Sequence, residues 1–217
     1  MDLTYHIVRS RLRRRTIALK VLADGTVEIR APLAATDDHI EDLLRERRSW
    51  IEDRVRVLRR GRDPDSLPYL GVPHPLVVAE GPWNTFSLQE GRFVIPDGMK
   101  DRLEPLAAAW YGRRAAEYLP GRVSFYGGAS GLKPKGLRIT DARRRWGSCS
   151  PRNCLAFPWR LMMVPPEVID YIVVHELAHI AVKDHSRRFW DTVSRILPDY
   201  RRRRQWLRRH GPFLPFP

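Results

Sequence analysis

Cysteine is scarce in this chain, with two in 217 residues, Cys149 and Cys154, and both lie in "SCSPRNC". A disulfide between them would close only a small loop, so a disulfide-stapled scaffold is excluded and free thiols are expected. Their spacing is not that of a zinc knuckle either. Lysine is almost as rare: only Lys20, Lys100, Lys133, Lys135 and Lys183 among 39 basic residues. No apolar run approaches the roughly 20 residues that cross a bilayer; "YIVV" at 171–174 is far too short. The opening "MDLTYHIVRSRLRRR" has neither the apolar stretch nor the cleavage site of a secretory leader. No internal repeat or low-complexity tract is present. Together these absences lead to the expectation of a cytoplasmic protein without a membrane partner.

What is present in excess is arginine. The formal charge is +14 and the pI about 10.6. Such a field attracts phosphates, membrane surfaces and acidic proteins. The charge is spread in short clusters at 11–15, 45–48, 59–62, 143–145 and 201–204 rather than gathered in a tail. It permits a nucleic-acid partner, but an arginine-rich composition alone accounts for it equally well. With 43% hydrophobic residues the chain can bury a real core.

The pattern along the chain is α+β. Ile17, Leu19 and Val21 alternate, Asp24-Gly25 supplies a turn of positive φ, and Val27 and Ile29 alternate again, which predicts a hairpin. Thr36 caps a helix expected over about 36–60, with Asp37 and Asp38 at its positive end. Short apolar runs over 76–96, broken by glycines, suggest a small meander. A second helix is expected over 103–119, stopped by Pro120-Gly121, followed by a strand at 136–140 and another in "CLAFPWRLMMVP" (154–165). Pro158 suits an edge strand, which would make that segment a rail for an extended substrate; an internal strand fits as well. Prolines 165 and 166 open a strongly apolar helix through residue 182. Helices from Ser186 to Pro198 and across the arginine-rich end complete the pattern. A β-rich region with one long helix (1–98) and a catalytic region (99–217) are the expected domains.

The apolar helix contains the chemistry. His175 and His179 stand one turn apart on one face, a spacing at which two imidazoles can share a tetrahedral metal. Glu176 follows the first and can reach a water on that metal without being a ligand, the mechanical content of H-E-x-x-H. A chance occurrence would not place three ionisable groups on so apolar a helix, where burial without a partner is costly. His185, six residues on, has the spacing of a third ligand after a turn at Asp184. A more distant carboxylate is the alternative. The metzincin pattern requires glycine where Val182 stands, and no Met-turn is evident downstream.

The stretch "RRRWGSCSPRNCLAFPWRLMMVPPEVIDYIVVHELAHIAVKDHSRRFW" (143–190) resembles the YgjP-like metal-dependent hydrolases, zincin-fold relatives of the SprT-like and Wss-type metalloproteases. The likeness lies in Arg145–Ser150, Arg160-Leu161, Ile169–Tyr171, His175–His179 and Asp184–Trp190, and extends to the N-terminal hairpin and the "AAAWYGRRAA" helix. It implies a zincin-like fold, a small mixed or antiparallel sheet beside the H-E-x-x-H helix. It also implies zinc on His175, His179 and His185, with Glu176 as acid and base, but it implies no substrate; hydrolysis of a peptide bond in a polypeptide is the expectation that a metal-activated water beside a carboxylate supports. Iron, nickel or manganese could occupy the same imidazoles. The rival reading is a basic nucleic-acid-associated module with a structural metal, or a protease acting on DNA-bound proteins. In the "RRRWGSCS" loop, Trp146 and Gly147 read as structural and Cys149 as inert. Tyr171, Tyr200 and the loop arginines are the candidates for an oxyanion partner.

Overall fold

The structure, a computed structural model, describes residues 4–11, 16–22, 26–52, 55, 65–79 and 85–211. It forms two compact units, Met1–Asp63 and Pro64–Pro217. No helix among the described residues is long and apolar enough to cross a membrane.

In the first unit β2 (Ala18–Val21) pairs antiparallel with β3 (Val27–Pro32), the hairpin expected from the alternation. Its Asp24-Gly25 turn lies outside the described residues. A strand the alternation did not announce, β1 (Tyr5–Ser10), runs parallel to β3 on its other edge, giving the order β1-β3-β2. Helix α1 (Asp37–Glu46) is capped as expected: Thr36 Oγ1 accepts from the His39 N–H, with Asp37 and Asp38 in the first turn. It buries Ile40 and Leu44. The expected continuous helix is interrupted at Arg47, whose ψ of 5° leaves helical geometry, and resumes at 48–52. Its end near residue 60 lies outside the described residues.

The second unit opens with two hairpins rather than a meander. β4 (Ser66–Tyr69) pairs antiparallel with β5 (Val72–Ala79), and β6 (Ser87–Gln89) with β7 (Arg92–Pro96). A parallel β5–β7 pairing joins them in the order β4-β5-β7-β6. The β4–β5 turn has Leu70 at φ 49° and Gly71 at φ 81°, and it is anchored where the Leu70 N–H donates to Met162 O at 2.8 Å. A Cβ on Gly71 would lie 2.6 Å from Pro165 Cγ, so the bare backbone lets the turn sit against the entry to the next long helix.

Helix α2 (Leu103–Ser130) corrects the expected stop at Pro120-Gly121: it runs straight through them to an αL cap at Gly131, φ 72°. An interior proline costs about 3 kcal/mol through a lost hydrogen bond and a clash. Beyond it the helix buries Val123 and Tyr126, and burial of a large apolar side chain returns about 1.5–3 kcal/mol each. Packing therefore outweighs the local signal. The same face of α2 holds Trp110, Tyr111 and Leu119 in a core shared with Phe93, Phe157 and Phe189.

β8 (Gly136–Thr140), β9 (Ser148–Cys149) and β10 (Cys154–Pro158) form a second sheet, order β8-β10-β9, with β8 parallel and β9 antiparallel to β10. β10 is thus internal, and the edge role suggested by Pro158 is not the one it has. The strand expected to continue to residue 165 ends at Pro158; Trp159–Met163 is a buried 3₁₀ turn. Helix α3 (Pro166–Ala181) starts on the expected proline and buries Val168, Ile169, Val173 and Leu177. Helix α4 (Arg187–Ile196), flanked by Ser186, and α5 (Tyr200–His210) lie where periodicity put them.

Candidate metal centre

α3 carries His175, Glu176 and His179. The chain then leaves helical geometry at Val182, φ −136° and ψ 115°, and returns His185 to the same place just ahead of α4. Asp184 helps to form this turn, its carboxylate accepting from the Ser186 N–H at 2.9 Å. The ligand atoms of His175, His179 and His185 all lie within 4.8 Å of one another, with the first two partly buried and His185 exposed. His175 Nε2 and His185 Nε2 are 3.1 Å apart. Two ligands about 2.05 Å from a tetrahedral zinc would be about 3.4 Å apart, so the pair is already near that spacing. Among the described residues no carboxylate or cysteine joins this group, which leaves the distant-carboxylate alternative without support.

The imidazoles are prepared as lone-pair donors. His179 Nδ1 lies 3.0 Å from the Val182 carbonyl, so the proton sits on Nδ1 and donates there, and Nε2 faces the other imidazoles free of a proton. Burial, reinforced by the charges of its neighbours, pushes His175 down to about 3, and burial also lowers His179. Both are neutral at neutral pH, the form that binds metal. His175 Nδ1 is buried without a hydrogen-bond partner. That ring is held by packing against residues to which the sequence alone assigned no place in the site. Phe189, fully buried, lies with its ring centroid 4.9, 4.5 and 4.8 Å from those of His175, His179 and His185. Trp190 completes the wall, 5.9 Å from His175 and from His185, and is itself stacked on Tyr200 and covered by the Arg204 guanidinium. Two adjacent aromatics soon after a helix-starting serine were the available signal.

Glu176 is 6% exposed, and burial pushes its carboxyl up to about 7 while the nearby Arg145 charge pulls it down. Its neighbour across the cleft is the backbone of Gly147: a Cβ there would lie 2.7 Å from both Glu176 Cγ and Oε1. The expectation that Gly147 marks only a tight turn is therefore too narrow. Gly147→Ala should displace the carboxylate; since misplacements of about 1 Å can cost 10²-fold in rate, kcat should fall by about 10–100-fold with metal content unchanged. Steady-state kinetics beside metal analysis checks this.

The loop after Gly147 is tied to the end of α3 by Lys183, whose Nζ donates to Asn153 Oδ1 at 2.6 Å and to Ser150 O at 3.4 Å. Cys149 and Cys154 are both free, and burial raises the Cys149 thiol, in keeping with an inert group. Of the candidate oxyanion partners, Tyr171 lies 5.9 Å from His175 between ring centroids, with burial holding its phenol up to about 12. Tyr200 packs instead on Trp190. The loop arginines 143–145 line a cavity of about 470 Å³ next to Trp146.

A family model described as YgjP-like, metallopeptidase domain, matches residues 15–210. Among solved structures, the metallopeptidase zymogen of Pyrococcus abyssi abylysin is similar at 18% identity and a TM-score of 0.39, over 42% of this chain and 94% of that one. No curated protein matches.

Proposed function

This chain belongs to the YgjP-like family of metallopeptidase domains, and from that premise we propose that it is a zinc-dependent peptidase acting on polypeptides, with a zincin-like arrangement around α3. His175, His179 and His185 would hold the ion. When bound, zinc supplies Lewis acidity toward a water and the scissile carbonyl. Glu176 then accepts the proton of the attacking water and returns it to the leaving amine nitrogen as the C–N bond breaks. Its burial beside the bare backbone of Gly147 keeps its proton affinity near neutrality and its carboxylate in one place. Phe189 and Trp190 orient the imidazoles and exclude water behind them. The division of labour follows the chain: all of these groups lie after residue 99, which supports 99–217 as the catalytic region.

One observation carries this reading: three imidazoles converge next to a buried carboxylate, and no fourth protein ligand joins them among the described residues. Structural zinc sites are closed by four protein ligands, catalytic ones keep a position open. The nucleic-acid module with a structural metal is disfavoured on that ground. Metal analysis of the purified protein, beside cleavage of casein with and without DNA, tests the proposal. About one equivalent of zinc should survive dialysis, be lost in His179→Ala, and be required for cleavage. A metal-free protein, or cleavage indifferent to chelation, would overturn it.

A further inference from the structure

Beside the proposed centre lies a cavity whose chemistry the hydrolytic machinery does not use. It is the space of about 470 Å³ between the β8–β9 loop, the end of β10 and α5. Arg143, Arg144, Arg145, Arg160 and Arg208 line it, with Trp146 at its wall, and no acidic residue is among the lining groups. Part of this charge is spoken for: Arg160 donates to Asp141 Oδ1 at 2.6 Å, and Arg143 to Glu104 Oε1 at 2.8 Å. Among the described residues neither Arg144 nor Arg145 forms an ion pair. A concave surface with guanidinium forks and one aromatic face is built for planar anions, which accept two parallel N–H bonds.

Its position gives the anion a source. Trp146 lines the cavity and the next residue, Gly147, abuts Glu176, so one peptide unit separates the basic wall from the proposed proton acceptor. Arg145 belongs to that wall. An extended substrate advances about 3.3 Å per residue. A peptide that runs from a scissile bond at Glu176 past Gly147 toward Trp146 would carry a group a residue or two away into this cavity.

We propose that the arginine-lined cavity is a specificity subsite for a carboxylate of the polypeptide substrate, making the enzyme selective for cleavage near acidic residues or near a free C-terminus. The proposal rests on the peptidase reading of the adjacent centre. Arg144 and Arg145 bind the carboxylate, and Trp146 packs on the methylene stem that carries it.

The test uses the zinc-loaded full chain carrying Glu176→Gln, which binds peptide without turnover, and reads fluorescence anisotropy at low and at physiological ionic strength. Three labelled peptides of one parent sequence are compared. One has two internal glutamates and an amidated end; one has glutamines there and an amidated end; one has glutamines and a free C-terminus. Either carboxylate-bearing peptide should bind about tenfold more tightly than the neutral one, and which of them does so identifies the source of the anion. Arg144→Gln with Arg145→Gln should bring that advantage within about twofold while leaving the neutral peptide's affinity unchanged. Arg144→Glu should instead shift the preference to a lysine-bearing peptide, which keeps the proposal testable if the double variant folds poorly. Equal affinity for all three peptides would overturn it, as would an advantage that survives both arginine substitutions. So would a duplex oligonucleotide whose binding, rather than the peptide's, is lost in the double variant. Cleavage of the same peptides by the unsubstituted chain separates the two readings. Neutral peptide cut without any acidic preference removes the subsite alone; acidic peptide bound selectively but never cut removes the peptidase reading alone.

Discussion

Glu176→Gln should lower kcat on peptide substrates by about 10²–10⁴-fold, the usual contribution of a positioned general acid or base, and leave the protein folded and loaded with metal. The substitution keeps the shape of a side chain that is 6% exposed and pressed against Gly147, so it opens no cavity and meets no new clash. It also removes a charge that burial disfavours, so stability should be equal or slightly greater. Metal content should not change, because Glu176 is not in the group of converging ligand atoms. The contrast with the histidines is the informative part: His179→Ala should lose metal and activity together, Glu176→Gln activity alone. Turnover that persists in the glutamine variant, purified free of other proteases, would remove Glu176 from the chemistry.

Much of this site was legible because its signals are local. Pro166 at a helix start, apolar positions through Leu177, and His175, Glu176 and His179 at helical spacing place the three groups on α3 without tertiary information. Thr36 and the serine before α4 marked their helix starts for the same reason. His185 was half legible: six residues from His179 allow a return to the site, but only the turn at Val182 and Asp184 brings it there. What could not be read was non-local. The parallel pairs β1–β3, β5–β7 and β8–β10 have no connecting turn to announce them. Pro120 gave a correct local warning that packing of Val123 and Tyr126 overrode. Gly147 looked like a turn residue, and its contact with Glu176 joins segments far apart in sequence. Phe189 and Trp190 showed their apolarity but not that three histidines would be their neighbours.

The continuation of α2 past Pro120 has a consequence for stability that can be measured. It brings Arg122 and Tyr126 to Asp170 on α3, and Asp170 is 8% exposed. Arg122 donates through Nε at 2.7 Å and through an Nη at 2.9 Å, a bidentate pair, and the Tyr126 hydroxyl donates at 3.0 Å. Arg203 of α5 approaches within 3.7 Å. One carboxylate thus links three helices one turn before His175. Asp170→Ala would leave two guanidiniums and a phenol facing a buried gap, and breaking a buried pair by deleting one partner costs about 3–5 kcal/mol. The Arg122 side chain is 31% exposed and can regain water, which places the expected loss near the lower end, about 3 kcal/mol. Arg122→Ala should cost less, since Asp170 keeps Tyr126 and Arg203, and the two substitutions should be strongly non-additive because they share one network. Urea unfolding of both variants and of the double variant measures this. Loss of bound metal should follow loss of stability in Asp170→Ala, because the helix that presents His175 and His179 is the one released. A change below about 1 kcal/mol, or simple additivity, would mean that the helices are held by their apolar faces alone.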